Sequence, residues 1–423
     1  MSRLNMVCDT RDTFYGRNVF ETWKKEQRWW IHETSQLDYQ FPELEPSRFE
    51  EGLQCGTVTN GINCAEPTIC LNLCWSRDGT SLVAVFNDYG VRQYLVPEIS
   101  GSPLIPFKRF FRPQSIVESC VHPLYSIFDG DKGVNVMLSS SKELPLQLFS
   151  LSPHASEHAP LYSYSVANVE NERFETMYSL SFHQESAFLA GSSRNKIFAY
   201  DLNRKHPVWS STRDNLKMRR RPAHRSIVSC FDEIIDLEHK PMRFAATYNN
   251  DVLGVDLRCQ KLALLASGED LGIKSGSGGI VQLLFSVNKH FMYVIKRNSK
   301  FIDILDARRG FSKINELALP FKIGSQKFKA TLDILNGLLI GTIDGYILQW
   351  PSDMVEFGGL VSREEQQPQS ERIPVILEVD QRRSRVNIVK SNPANPQLIA
   401  TSFSPDKFDS ECEVLSGISL VEL

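Results

Sequence analysis

The chain has 423 residues, 42% of them apolar, enough to fill a substantial core in one to three domains. Its 47 basic and 50 acidic side chains leave a formal net charge of -3, so the total demands neither a nucleic acid nor a membrane surface. No stretch approaches the roughly 20 apolar residues that span a bilayer, and the N-terminus MSRLNMVCDTRDTFYGRN has no signal-peptide hydrophobic segment, which points to a soluble chain in the cytosol or nucleus.

The first distinctive segment is RNVFETWKKEQRWWIHE (17–33), which holds half of the six tryptophans. As a helix it places Phe20, Trp23, Trp30 and Ile31 on one face. That face suits either an extension docked on the main domain or an arm that binds a partner. FPELEPSRFEEG (41–52) follows as an acidic linker, so residues 1–54 are expected to be an N-terminal extension. Cys55, Cys64, Cys70 and Cys74 then form the only cluster among nine cysteines. They lack a C-x2-C pair, which favours buried thiols over a zinc site.

From there a strand, a polar turn and a second strand recur. The instances are LVAVFNDYGVRQYL (82–95), VMLSSSKELPLQLF (136–149), FLAGSSRNKIFAYD (188–201), FAATYNNDVLGVDL (244–257), MYVIKRNSKFIDIL (292–305) and LLIGTIDGYILQW (338–350). Their turn cores are expected at Asn87-Asp88, Ser140-Ser141, Arg194-Asn195, Asn249-Asn250, Asn298-Ser299 and Asp344-Gly345. The repeat interval is 46 to 55 residues. An apolar strand precedes each hairpin, as in LNLCW, and KHPVWSS (205–211) or VILEVD (375–380) supplies an outer one. Four short strands per repeat predict an all-β, WD-repeat-like β-propeller over residues 55–423. A weaker unit at 387–420 makes seven blades, with a strand from about 55–70 expected to close the last one. The Gly-His and Trp-Asp pairs of WD repeats are largely missing, but Asp201 and Asp256 can still cap their blades by hydrogen bonds.

Catalytic patterns are missing too. His122, His183, His224 and His290 fall at equivalent turns or strand starts of different blades, which fits a structural role. GIKSGSGG (272–279) has no Gly-Lys-Ser/Thr after its glycines and no βαβ context, so it is read as an inter-blade loop rather than a phosphate loop, and no H-E-x-x-H or calcium loop occurs. The expectation is a protein that is not an enzyme, with no cofactor, no metal and no small-molecule substrate. Charge is unevenly placed, however. RKHPVWSSTRDNLKMRRRPAHR (204–225) holds eight Lys or Arg against Asp214 alone, and PFKRFFRP (106–113) interleaves cations with phenylalanines. Cations beside stacking rings suit unpaired RNA; acidic protein contact, nuclear import and plain solvation remain alternatives. The candidate contact residues are Lys108, Arg109, Phe110, Arg112, Lys217, Arg219, Arg220, Arg221 and Arg225.

Longer stretches carry a family resemblance. CWSRDGTSLVAVFNDYGVRQYLVPE (74–98), YSLSFHQESAFLAGSSRNKIFAYDLNRKHPVW (178–209) and AHRSIVSCFD (223–232) resemble the fungal, splicing-associated branch of the telomerase Cajal-body WD-repeat family. LDILNGLLIGTIDGYILQWPSD (332–353) and NPANPQLIATSFS (392–404) fit its final blades. The resemblance implies a nuclear ribonucleoprotein factor acting in pre-mRNA splicing, on the snRNP that recognises the 5′ splice site. Spliceosomal snRNP proteins are the implied partners, with small nuclear RNA a second. A Cajal-body or telomerase RNA chaperone and a general protein adaptor are the alternatives.

Overall fold

The computed structural model describes residues 2–10, 69–87, 90–97, 101, 104, 106–112, 115–128, 133–153, 159–166, 174–211, 226–233, 242–272, 278–321, 323–324, 327–359, 374–379, 384–405 and 416–423. It is a seven-bladed β-propeller. Blade 1 runs Cys70–Trp75, Ser81–Phe86, Gly90–Leu95 and Pro106–Phe111 from the axis outward. Blade 2 has Ile116–Val121, Val136–Ser141, Leu146–Ser150 and Tyr162–Tyr164. Blade 3 has Ser179–Gln184, Ala187–Gly191, Ile197–Asp201 and Trp209–Ser210. Blade 4 has Val228–Phe231, Met242–Thr247, Val252–Asp256 and Lys261–Ala266, and blade 5 has Ile280–Phe285, Phe291–Lys296, Phe301–Asp306 and Ser312–Ala318. Blade 6 comprises Thr331–Leu332, Leu338–Gly341, Tyr346–Trp350 and Val375–Glu378.

Blade 7 corrects an expectation. Arg385–Ser391, Leu398–Ser404 and Gly417–Glu422 supply three strands, and the outer one is Asn5–Asp9 rather than a strand from 55–70. Asn5 pairs with Glu422 and Asp9 with Ser419 in antiparallel register. Just before it, Ser2–Arg3 lies parallel to Leu377–Glu378 as a fifth strand on blade 6. Residues 2–9 thus belong to the propeller and fasten two neighbouring blades, instead of forming part of an extension. Residues 55–68, the tryptophan-rich segment 17–33 and the linker 41–52 lie outside the described residues.

The hairpin turns follow from residue chemistry. Arg194 and Asn195 both take positive φ (57° and 59°), the type I′ geometry that matches strand twist. Asn250, Asn298 and Gly345 do the same singly. Ser140 and Ser141 are instead the last two residues of a strand, and the left-handed residue of that turn is Glu143, φ 61°. Asp201 and Asp256 cap as expected: Asp201 Oδ1 accepts from Asn203 N–H, and Asp256 Oδ1 accepts from Arg258 and Cys259 N–H.

The core lies between blades, because one thin sheet cannot bury both its faces. Tyr293, Ile302 and Ile304 of blade 5 pack with Ile340, Leu348 and Trp350 of blade 6 in one such layer. Polar stitches replace the missing WD network at the seams. Arg243, fully buried in blade 4, donates to Asp232 and reaches Phe182 O and Ser181 Oγ of blade 3. His122 accepts from Leu124 N–H through Nδ1, so its Nε2 donates to Glu185 O of blade 3, 3.0 Å away. Its role is structural.

Candidate functional site in the central channel

Seven innermost strands line a channel, and their pleat decides what faces it. On five of them the pairing slips by one residue near the start, between Cys70 and Asn72, Ile116 and Glu118, Val228 and Cys230, Ile280 and Gln282, and Val386 and Ile388. Such bulges re-aim side chains. Asn72, Glu118 and Gln282 follow the slip and line the channel, a cavity of about 390 Å³. The two amides, Asn72 and Gln282, act as braces. Gln282 grips the next blade like a peptide unit, its Nε2 donating to Ala330 O and its Oε1 accepting from Ala330 N–H, both at 2.8 Å. Asn72 Nδ2 donates to Ser119 O at 2.9 Å, which turns its Oδ1 toward Lys329.

The charged wall comes from blades 6 and 7. In KFKA (327–330), Lys327 and Lys329 face the channel while Phe328 and Ala330 are fully buried in the core. Lys329 bridges Ile388 in parallel, and Lys390 continues the same side two residues further along. At about 3.3 Å per residue, the three ammonium stems climb the wall in steps of roughly 7 Å. The outer rungs are paired. Lys327 meets Glu118 of blade 2, and Lys390 meets both oxygens of Glu233 at 2.8 and 2.9 Å.

Burial and neighbours set the titration of these groups. Burial pulls Lys327 below the usual lysine range, overriding the attraction of Glu118. Burial also opposes the charge on Lys329, but Glu118 and Glu233 outweigh it and hold that ammonium above the usual range. Glu233 is raised by burial and lowered more strongly by Lys390, ending below the ordinary glutamate value. Cys74, Cys120 and Cys230 also line the channel. Burial pushes the last two thiols up to about 12 and Cys74 in the same direction, so they stay protonated and poor nucleophiles. Among the described residues no group of three or more His, Cys, Asp or Glu is placed to hold a metal ion.

The residues predicted from sequence as contacts fall elsewhere. Lys108, Phe110 and Arg112 are buried in the seam between blades 1 and 2. Lys108 Nζ donates to Ser152 O at 2.8 Å, Phe110 packs on Phe149, and Arg112 lies 4.1 Å over the Phe149 ring. They hold blades together, which corrects their reading as an RNA-facing surface, since a base could reach Phe110 only if the seam opened. Arg109 sits in the same strand, opposite Arg92. Lys217, Arg219, Arg220, Arg221 and Arg225 lie outside the described residues. The channel lysines escaped the sequence reading, although the alternation Lys-Phe-Lys-Ala is a half-buried strand signal.

No protein-family profile matches the chain. Whole-length relatives do. Protein SWT21 of Kluyveromyces lactis is 39% identical over 428 residues, covering 99% of this chain and all of that protein. The chain belongs to the SWT21 family. Protein SWT21 of Vanderwaltozyma polyspora is 38% identical across 98% of this chain and 97% of its own length. Protein SWT21 of Saccharomyces cerevisiae is also 38% identical, across 79% of this chain and 95% of its own length. A β-propeller in the SWT21 family fits a WD-type scaffold.

Proposed function

We propose that this SWT21-family propeller is a non-catalytic nuclear scaffold in pre-mRNA splicing, stabilising the snRNP that recognises the 5′ splice site. The observation that supports it best is the closed ring. Ser2–Arg3 and Asn5–Asp9 are locked into blades 6 and 7 against residues from the far end of the ring, and a polar channel is open at the axis, so the molecule offers a stiff platform. The splicing assignment, the nuclear location and the kinship with the telomerase Cajal-body family rest on the sequence resemblance set out above. Lys217, Arg219, Arg220, Arg221 and Arg225 are proposed to serve partner docking or import.

The test is affinity purification of the tagged protein from nuclear extract, with RNA sequencing and mass spectrometry on one eluate. Proteins and small nuclear RNA of the 5′ splice-site snRNP are expected. Recovery of telomerase or Cajal-body RNA instead would move the assignment to an RNA chaperone. Loss of all RNA, with unrelated proteins retained, would leave a general adaptor. Neutralising the five basic residues should deplete the same particle from the eluate.

A further inference from the structure

Lys329 stands out on the channel wall. The rungs on either side of it, Lys327 and Lys390, each have a glutamate. Among the described residues Lys329 has no carboxylate within 4.0 Å, and its ammonium makes one hydrogen bond, to Asn72 Oδ1 at 2.9 Å. Asn72 cannot give more, because its amide nitrogen is committed to Ser119. An ammonium has three donors, so two are left without an acceptor among the described residues. Arg77 lines the same cavity from the turn after the first innermost strand, and it too lacks a carboxylate among the described residues. The cavity thus sets Lys327, Lys329, Lys390 and the exposed Arg77 against Glu118 and Glu233, and among the described residues neither Lys329 nor Arg77 has a direct ion pair.

We propose that the central channel receives one carboxylate, an Asp or Glu side chain of a partner protein, which pairs with Lys329 after passing Arg77. The charge pattern favours this ligand. Glu118 and Glu233 flank the middle rung, so a single carboxylate meets their repulsion once, offset by Lys329, while each further charge of a polyanion adds repulsion with no unpaired lysine to offset it. Shape selects it as well. A cavity of about 390 Å³ admits a slender side chain end-on. A phosphodiester is flanked by nucleosides on both sides and cannot enter that way. Lys329 is half-buried, so the pairing forms in a partly desolvated site, where a charge-assisted hydrogen bond is stronger than in open water. The inference deepens the scaffold reading and rests on it only in taking a protein as the source of the carboxylate.

Ligand-observed saturation-transfer NMR on the full chain tests it, with acetyl-Gly-Glu-Gly-amide, its Gln counterpart and an octauridylate RNA as probes. The Glu peptide should bind about tenfold or more tightly than the Gln peptide, the worth of one charge-assisted hydrogen bond. Lys329→Met should erase that difference, and Lys329→Arg should keep most of it, which separates lost charge from misfolding. Equal binding of the two peptides to the unmutated protein overturns the proposal, as does a Lys329→Met protein that still prefers Glu. Octauridylate binding that disappears with Lys329→Met would assign the channel to RNA instead. Each result is independent of which particle the nuclear purification recovers, so the two readings can fail separately.

Discussion

Arg243→Met is expected to be among the most damaging single substitutions in the propeller. The guanidinium is fully buried, and its partner Asp232 is 5% exposed. Nε donates to Asp232 Oδ1 at 2.9 Å, Nη1 to Phe182 O at 3.0 Å, and Nη2 to Ser181 Oγ and Asp232 O, both at 2.9 Å. Removing the arginine leaves the carboxylate with Phe244 N–H as its remaining donor, 3.0 Å away, and strips two carbonyls of a partner. Orphaning one member of a buried pair costs about 3–5 kcal/mol. Asp232→Asn is milder, about 1–2 kcal/mol, because the arginine keeps its carbonyl acceptors and the amide oxygen replaces the carboxylate. The double variant no longer buries an unpaired charge, so it should cost at least 2 kcal/mol less than the sum of the singles, roughly the coupling of a shared network. Equilibrium urea unfolding of the four proteins at neutral pH reads all three numbers. A loss below about 1 kcal/mol in Arg243→Met, or additivity within about 0.5 kcal/mol, would refute the view that this pair clamps blades 3 and 4.

Three further outcomes follow from other parts of the ring. Trp350 is completely buried and its indole N–H has no partner among the described residues, so Trp350→Ala should cost about 3–5 kcal/mol while Trp350→Phe costs less than half of that, measured as the shift in unfolding midpoint. Val7→Asp places a charge among the buried residues of the closing strand, and should unlatch blade 7, seen as lost hydrogen-exchange protection in Gly417–Glu422. Burial lowers the ammonium of Lys108 to about 8, below its unfolded value near 10.5. Between those values the unfolded chain binds more protons, so this group makes stability rise with pH from about 8 to about 10.5. Lys108→Met should flatten that part of the urea-unfolding profile against pH, and an unchanged slope would mean the ammonium is not desolvated.

Much of this architecture was legible because each blade repeats one local pattern. The hairpins at 188–201, 244–257 and 338–350 announce themselves through alternating apolar residues and turn residues with positive φ, both local properties. The closing strand was not legible. NMVCD (5–9) has no repeat partner nearby, and it becomes a strand only through pairing with residues more than 400 positions away. PFKRFF misled for a related reason. An outer strand alternating rings with cations looks half-solvated, but blade 2 packs against it and buries Lys108 along with Phe107 and Phe110. The channel shows the converse: Lys327 looks like ordinary surface charge until the ring places it against Glu118 of blade 2, and Lys329 until the ring places it beside Asn72 of blade 1.

The latch of Asn5–Asp9 on Gly417–Glu422 has a consequence for how the protein is made. The strand that closes the ring leaves the ribosome more than 400 residues before the strand it must join. At about 5–20 residues per second, the early strand waits roughly 20–80 s for its mate. Through that interval the growing arc has a raw blade at its leading end, and its first residues have nothing to pair with. Anything fused ahead of Ser2 is therefore carried to the seam between blades 6 and 7 at the moment of closure, whereas a fusion after Leu423 arrives once the ring has its full complement of strands.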